Sequence, residues 1–230
     1  MSFADLFIGA VVALCCGLDR TAALQVMISR PIVAAPLAAW LLGDVAVGLQ
    51  LGLMVELLWQ ARLPVGAVVP PDDTQIAVGA TVLTLGMGAV LEQNSLAFTL
   101  LCLLIAIPFG KFGQFFDRRA RLYHGRKPSL SAKMLENQQY RAMEHLHLRG
   151  LLSFGLASLL TYLVIVAGGL VLVPMLASTL LPALEAAGHW LRLLLPLVGI
   201  ATILGTINVN RSLTLFGASF GMAFLLMWLV

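Results

Sequence analysis

The chain has 230 residues, 60% of them hydrophobic and 11% charged, and its mean hydropathy is +0.96. Ordinary soluble domains carry roughly 25% charged residues, so this composition excludes a water-soluble globule and a lone anchor on a soluble catalytic domain. A net charge of +3 on such a chain gives no ground for nucleic-acid binding.

What remains is an all-α polytopic membrane protein, read as a single domain over residues 1–230. Charge-free runs extend over 74–91, 93–110, 150–184, 193–210 and 212–230, and a span needs ~20 apolar residues. Outside the polar stretch 111–149 there is room for about seven or eight membrane segments, including broken or re-entrant ones.

The first apolar run carries Asp5 but no early Lys or Arg, so it lacks the basic start of a cleavable signal and is expected to be retained. Cys15 and Cys16, like Cys102 further on, lie inside apolar runs without the spacing of a zinc site or a disulfide framework, and read as small packing residues. From Ala22 to Gly43 the chain would make one span, but Ser29-Arg30-Pro31 interrupts it. Pro31 removes an amide donor and pushes Arg30 out of the helical region. An arginine at such a break favours a discontinuous segment lining a cavity over a plain proline kink.

The next run, Val45 to Ala61, carries Glu56 followed by Trp59. An ionised group at mid-membrane costs at least ~2.5 kcal/mol, so Glu56 either lies near the aqueous boundary, where tryptophan is favoured, or faces a polar pathway. From Leu63 to Thr74, Pro64, Pro70 and Pro71 prevent a regular helix, and the stretch reads as re-entrant or extended. Asp72 and Asp73 can cap the following helix. Together they offer more acceptors than one cap needs, which suits the hydroxyls of a sugar.

The stretch Lys111 to Arg149 holds all three lysines together with Arg118, Arg119, Arg121, Arg126, Arg141 and Arg149. Positive charge next to a span directs its loop to the cytoplasm, so this segment is expected to be a cytoplasmic basic loop. Beginning at Pro128, an amphipathic helix is expected, with Leu135, Ala142, Met143 and Leu146 near one face, lying on the membrane surface or serving as a docking surface. His145 and His147 do not share a helical face, which argues against a metal site. His189 beside Trp190 reads as an interface anchor.

Near the C-terminus, Asn208-Val209-Asn210-Arg211 punctuates two apolar runs, either as a turn or as a binding element whose amides donate and accept. A broken segment near each end is compatible with an inverted-repeat transporter core. No Walker lysine motif, HExxH, Gly-x-Ser-x-Gly or paired-cysteine motif occurs, so nothing suggests an ATP-driven pump, a membrane peptidase, a cofactor or a catalytic residue.

The combination Leu18-Asp19-Arg20-Thr21-Ala22-Ala23-Leu24-Gln25, Ile28-Ser29-Arg30-Pro31-Ile32, Leu42-Gly43-Asp44, Glu56-Leu57-Leu58-Trp59 and Leu63-Pro64-Val65-Gly66-Ala67 through Asp73 resembles the membrane IIC component of the mannose/fructose/sorbose family of the bacterial phosphoenolpyruvate-dependent sugar phosphotransferase system. The resemblance is dense over residues 18–80. It implies a multi-pass protein of the bacterial inner membrane that works beside a membrane IID subunit, in a higher-order oligomer, with soluble IIA and IIB phosphocarriers. The phosphorylated residues would then lie on those partners and none on this chain. The implied task is to bind a hexose, ketohexose or amino sugar and carry it by an elevator-like shift to the face where IIB phosphorylates it. Glu56 and Asp72 match the family's acidic positions. Arg30, Asp73, Asn208 and Asn210 complete the expected sugar-binding set. Ser29 stands where mannose-type members have histidine, which leaves the sugar open. The competing expectations are a gradient-driven secondary transporter using Glu56 or Asp72, and a non-transporting structural or sensory subunit.

Overall fold

The computed structural model describes residues 1–59, 69–125, 127–188, 190, 197–202, 204 and 212–229. Among the described residues the regular elements are all helical. Helix α1 (Phe3–Thr21) starts at Ser2, whose hydroxyl accepts from the Asp5 amide while the Asp5 carboxylate accepts from the Ser2 amide. That reciprocal box satisfies two amides that a helix start leaves orphaned.

Where the sequence suggests one interrupted span, the structure has a longer break and then a helical hairpin. Residues 22–30 are non-helical, and α2 (Pro31–Leu42) begins with proline at its first position, where the missing amide costs nothing. Gly43, with φ 103°, turns the chain in a left-handed conformation that an L side chain resists. Asp44 then accepts from the amides of Ala46 and Val47, and α3 (Val45–Trp59) runs back. The arms, 12 and 15 residues long, measure ~18 and ~22 Å at 1.5 Å per residue, both short of the ~30 Å hydrocarbon core. They touch through glycine: a Cβ at Gly48 or Gly52 would stand 2.6 Å from the carbonyl oxygen of Ala35 or Pro31.

Helix α4 (Asp73–Leu91) is the centre of the bundle, buried on nearly every face from Thr74 to Gly88. It can be so enclosed because glycine, alanine and threonine let helix backbones approach closely, the usual packing solution in lipid. Around it pack α1, the hairpin, α5 (Leu96–Phe109) and α8 (Tyr140–Ala186). Tyr162, Phe98, Leu51, Ile76 and Leu83 fill the core. The Tyr162 hydroxyl donates to the Leu6 carbonyl at 3.1 Å and the Gln75 amide to the Ala13 carbonyl at 2.9 Å, which lock α1 to α8 and α4. Cys16 and Cys102 are buried, and all three cysteines are free.

After Gly110 the chain continues as α6 (Lys111–Gly125), then α7 (Pro128–Glu136). The amphipathic helix expected from Pro128 onward does not run through to Leu146. It stops at Asn137, and Gln138 takes φ 56°. Leu135 therefore belongs to α7, whereas Ala142, Met143 and Leu146 belong to the 47-residue α8, ~70 Å long and thus projecting well beyond a ~30 Å core. Helix α9 (Ser212–Leu229) is apolar and largely exposed. Among the described residues, three helical stretches, α4, the run beginning with α5, and α8, are long and apolar enough to cross a membrane, and α2, α3 and α9 are shorter apolar helices.

Candidate functional site

The described lysines and arginines gather at one end of the bundle, where α1 finishes, the hairpin opens and α4 starts. The key residue there is Asp19, buried in the last turn of α1. A carboxylate near a helix C-terminus opposes the helix dipole, and its compensation comes from donors in the break: the amides of Val26 (2.8 Å) and Ser29 (3.0 Å). Those bonds hold a loop in which Leu24, Gln25 and Met27 all have φ between 55° and 69°, a conformation that costs non-glycine residues ~1–2 kcal/mol each.

Next to Asp19, Arg20 reaches across to the start of α4. Its guanidinium bonds Asp72, lies 3.2 Å from Asp73 and donates to the Pro71 carbonyl at 3.4 Å. Asp72 also caps α4, accepting from the Gln75 amide at 3.1 Å. Both sequence readings of this aspartate thus coexist: it is a helix cap and also half of an ion pair. Asp72 lines a partly open cavity of about 80 Å³ with Arg20, Asp117, Arg121, Phe154 and Ser158. Ligand pockets run to ~300 Å³ and above, so this cavity admits a few waters rather than a whole hexose.

At the mouth of the hairpin Arg30, just before α2, meets Glu56 near the end of α3 at 3.2 Å. The second Glu56 oxygen accepts from the Ile32 amide at 3.4 Å, one of the donors that a helix start leaves free. Glu56 is mostly shielded, its side chain 18% exposed, while Arg30 is 45% exposed. Trp59 packs on the core, and its buried indole nitrogen has no hydrogen-bond partner among the described residues. The Thr74 hydroxyl donates to the Ser29 carbonyl at 2.6 Å, tying this mouth to the first turn of α4.

Of the six residues expected in the site, the structure brings Arg30 to Glu56 and Asp72 to Asp73. The two acids lie in neighbouring ion-paired clusters, and the cavity at Asp72 is not lined by Glu56. Asn208 and Asn210 lie outside the described residues. Asp19, Arg20, Thr74 and Gln75 organise the region, and none of them is among those six. Asp19-Arg20 did carry a signal, because adjacent opposite charges at the end of an apolar run each need a partner. Among the described residues no group of three or more His, Cys, Asp or Glu is placed to hold a metal.

A family model described as the PTS system sorbose-specific IIC component matches residues 3–229. The chain belongs to that family. It is accordingly the sugar-specific, multi-pass IIC membrane component of a phosphotransferase system. No curated protein matches the chain. Among solved structures, one titled only as the structure of a membrane protein is similar with a TM-score of 0.70 and 20% identity, over 97% of this chain and 87% of that one. A second, the mannose transporter ManYZ in complex with microcin E492, has a TM-score of 0.60 and 17% identity over the same shares. Both share the fold of this IIC chain.

Proposed function

We propose that this IIC chain binds a hexose, ketohexose or amino sugar at the open end of the α2–α3 hairpin and moves it across the membrane for phosphorylation by a partner subunit. The observation that carries the proposal is the Arg30–Glu56 pair: a shielded carboxylate and a half-exposed guanidinium at the mouth of a membrane hairpin, next to the start of the central helix. A carboxylate and a guanidinium side by side present acceptors and donors to vicinal hydroxyls. Asp72 and Asp73, and Asn208 and Asn210 beyond them, complete the set. The basic stretch 111–149 forms the cytoplasmic face. The hairpin with its strained 22–30 connection is the element that moves, as in an elevator, against α1, α4, α5 and α8. The expected company is a membrane IID subunit, soluble IIA and IIB phosphocarriers, lipid, and further copies in a higher-order oligomer.

The test is uptake of a labelled sugar panel by vesicles containing the chain and its membrane partner, loaded with or without phosphoenolpyruvate and the soluble phosphotransferase proteins. Sugar phosphate inside only with phosphoenolpyruvate supports the proposal. Unmodified sugar accumulated on a proton gradient supports a secondary transporter instead, and no uptake supports a structural or sensory subunit.

A further inference from the structure

Ser29, the residue before Arg30, is gripped on both sides of its backbone. Its amide donates to the Asp19 carboxylate of α1 at 3.0 Å, and its carbonyl accepts from the Thr74 hydroxyl of α4 at 2.6 Å. Asp19 and Thr74 are both buried. Each Asp19 oxygen takes one loop amide, Oδ1 from Val26 and Oδ2 from Ser29, and among the described residues no cation pairs with it. A helix C-terminus needs donors for its free carbonyls, which a carboxylate does not supply. Asp19 therefore serves the loop rather than the end of α1.

The grip is passed on to the mouth of the hairpin within three residues. Met27, between the two anchored amides, accepts from the Arg30 amide at 3.2 Å. Arg30 meets Glu56 Oε1 at 3.2 Å, and the Ile32 amide donates to Glu56 Oε2 at 3.4 Å. Ile32 is the second residue of α2, where an amide has no acceptor within its own helix, so its bond to Glu56 reports where the helix start sits. Helices α1 and α4 thus both reach the Arg30–Glu56 pair through Ser29.

We infer that Asp19 and Thr74 are positioning residues of the sugar site, clamping Ser29 so that Arg30 and the start of α2 stay on Glu56. The inference rests on the reading of the Arg30–Glu56 pair as that site. Charge-assisted bonds from a buried carboxylate to two amides are strong and directional, which suits a group that fixes a backbone beside a binding pair.

The assembled membrane complex is read in two ways: hydrogen exchange resolved to single amides without sugar, and equilibrium binding of labelled sorbose, mannose and glucosamine. Asp19→Asn leaves one carbonyl oxygen to serve two amides. It should speed exchange at Val26, Ser29 and Ile32, and weaken binding of whichever sugar the wild type takes, each by about tenfold. Thr74→Val, close in shape, should speed exchange at Ile32 and weaken binding in the same direction, and it replaces Asp19→Asn should that variant fail to fold. Faster exchange at Val26 and Ser29 with Ile32 unchanged means that Asp19 only holds the loop, and overturns the inference. So does normal sugar binding in Asp19→Asn where Glu56→Gln weakens it. If Asp19→Asn and Glu56→Gln both bind sugar normally while Ile32 exchanges faster, the sugar site lies elsewhere and the clamp on Arg30 and α2 stands.

Discussion

Glu56 and Asp72 look alike in sequence, each an acid beside an apolar run, but their surroundings set them apart. Glu56 is held by one half-exposed arginine and an amide, whereas Asp72 is both a helix cap and the partner of Arg20. A hydrogen bond to a charged group contributes roughly 1.5–3 kcal/mol. Glu56→Gln, which keeps shape and loses charge, should therefore weaken sugar binding by the assembled complex about ten- to a hundredfold and leave the sugar-free melting temperature almost unchanged. Asp72→Asn should weaken binding similarly but also lower the melting temperature, because it takes the charge from one partner of the part-buried Arg20–Asp72 pair. Equilibrium sugar binding and thermal unfolding of the two variants check both statements, and normal affinity in both would remove these acids from the site. His124 gives a pH prediction. Burial and the nearby Lys127 hold its imidazole below the usual value, so below about pH 6.5 the unfolded chain binds more protons than the folded one. The stability it contributes is present above that pH and is lost as the pH falls through the lower folded value. Between about pH 8 and pH 5 the melting temperature should drop, and less so in His124→Gln, if protonation of this ring is the cause.

Among the elements, the hairpin depends most on side chains that are absent. Gly52 faces the Pro31 carbonyl and Gly48 that of Ala35, and carbonyls of a helix backbone cannot rotate away as a flexible side chain would. Gly52→Val should force the arms apart, with the ~1–3 kcal/mol cost of overpacking as a lower bound. Such separation would also pull Arg30 from Glu56, so folded yield and sugar affinity should fall together. Gly217→Ala on α9, where an added Cβ meets nothing within 4 Å, is the control and should behave as wild type in a melting assay. The α7–α8 boundary shows what residue periodicity misses. The apolar positions 135, 142, 143 and 146 fit one helical face, but Asn137-Gln138-Gln139 offers nothing to bury, and the chain turns there with Gln138 left-handed. Packing on the rest of the bundle then joins the second half to the span.

For the molecule as a whole, the distribution of charge has a direction. Arg20, Arg30 and the basic residues of α6, α7 and the start of α8 share one end, while Asp5 and Glu92 belong to the other, where Met1 and Asp5 lie against Gly86. The positive-inside rule predicts a cytoplasmic basic end, with the α2–α3 hairpin entering from that side. In a chain whose three native cysteines are replaced by alanine, Ala132→Cys on α7 should react in intact cells with permeant thiol reagents only. Labelling by an impermeant reagent from outside would invert the orientation and the hairpin with it.

Composition alone determined the solvent in which this chain folds, because too few charged residues remain to cover a water-facing surface. Local rules determined the punctuation as well: Pro31 as a break, Asp72 as a cap and the basic stretch after Gly110 all follow from hydrogen bonds and charges within a few residues. The partners of the charges were decided by tertiary structure. Arg20 finds Asp72 52 residues away and Arg30 finds Glu56 26 residues away, and no short-range pattern distinguishes those pairings from others. The same holds for the hairpin. The sequence reads as one interrupted span and a second apolar run, and only the contacts of Gly48 and Gly52 with Ala35 and Pro31 show two short helices that pack side by side and return to one end. In lipid a buried ion needs a counter-ion or hydrogen-bonding backbone groups, and which of these it meets is set by how the helices pack.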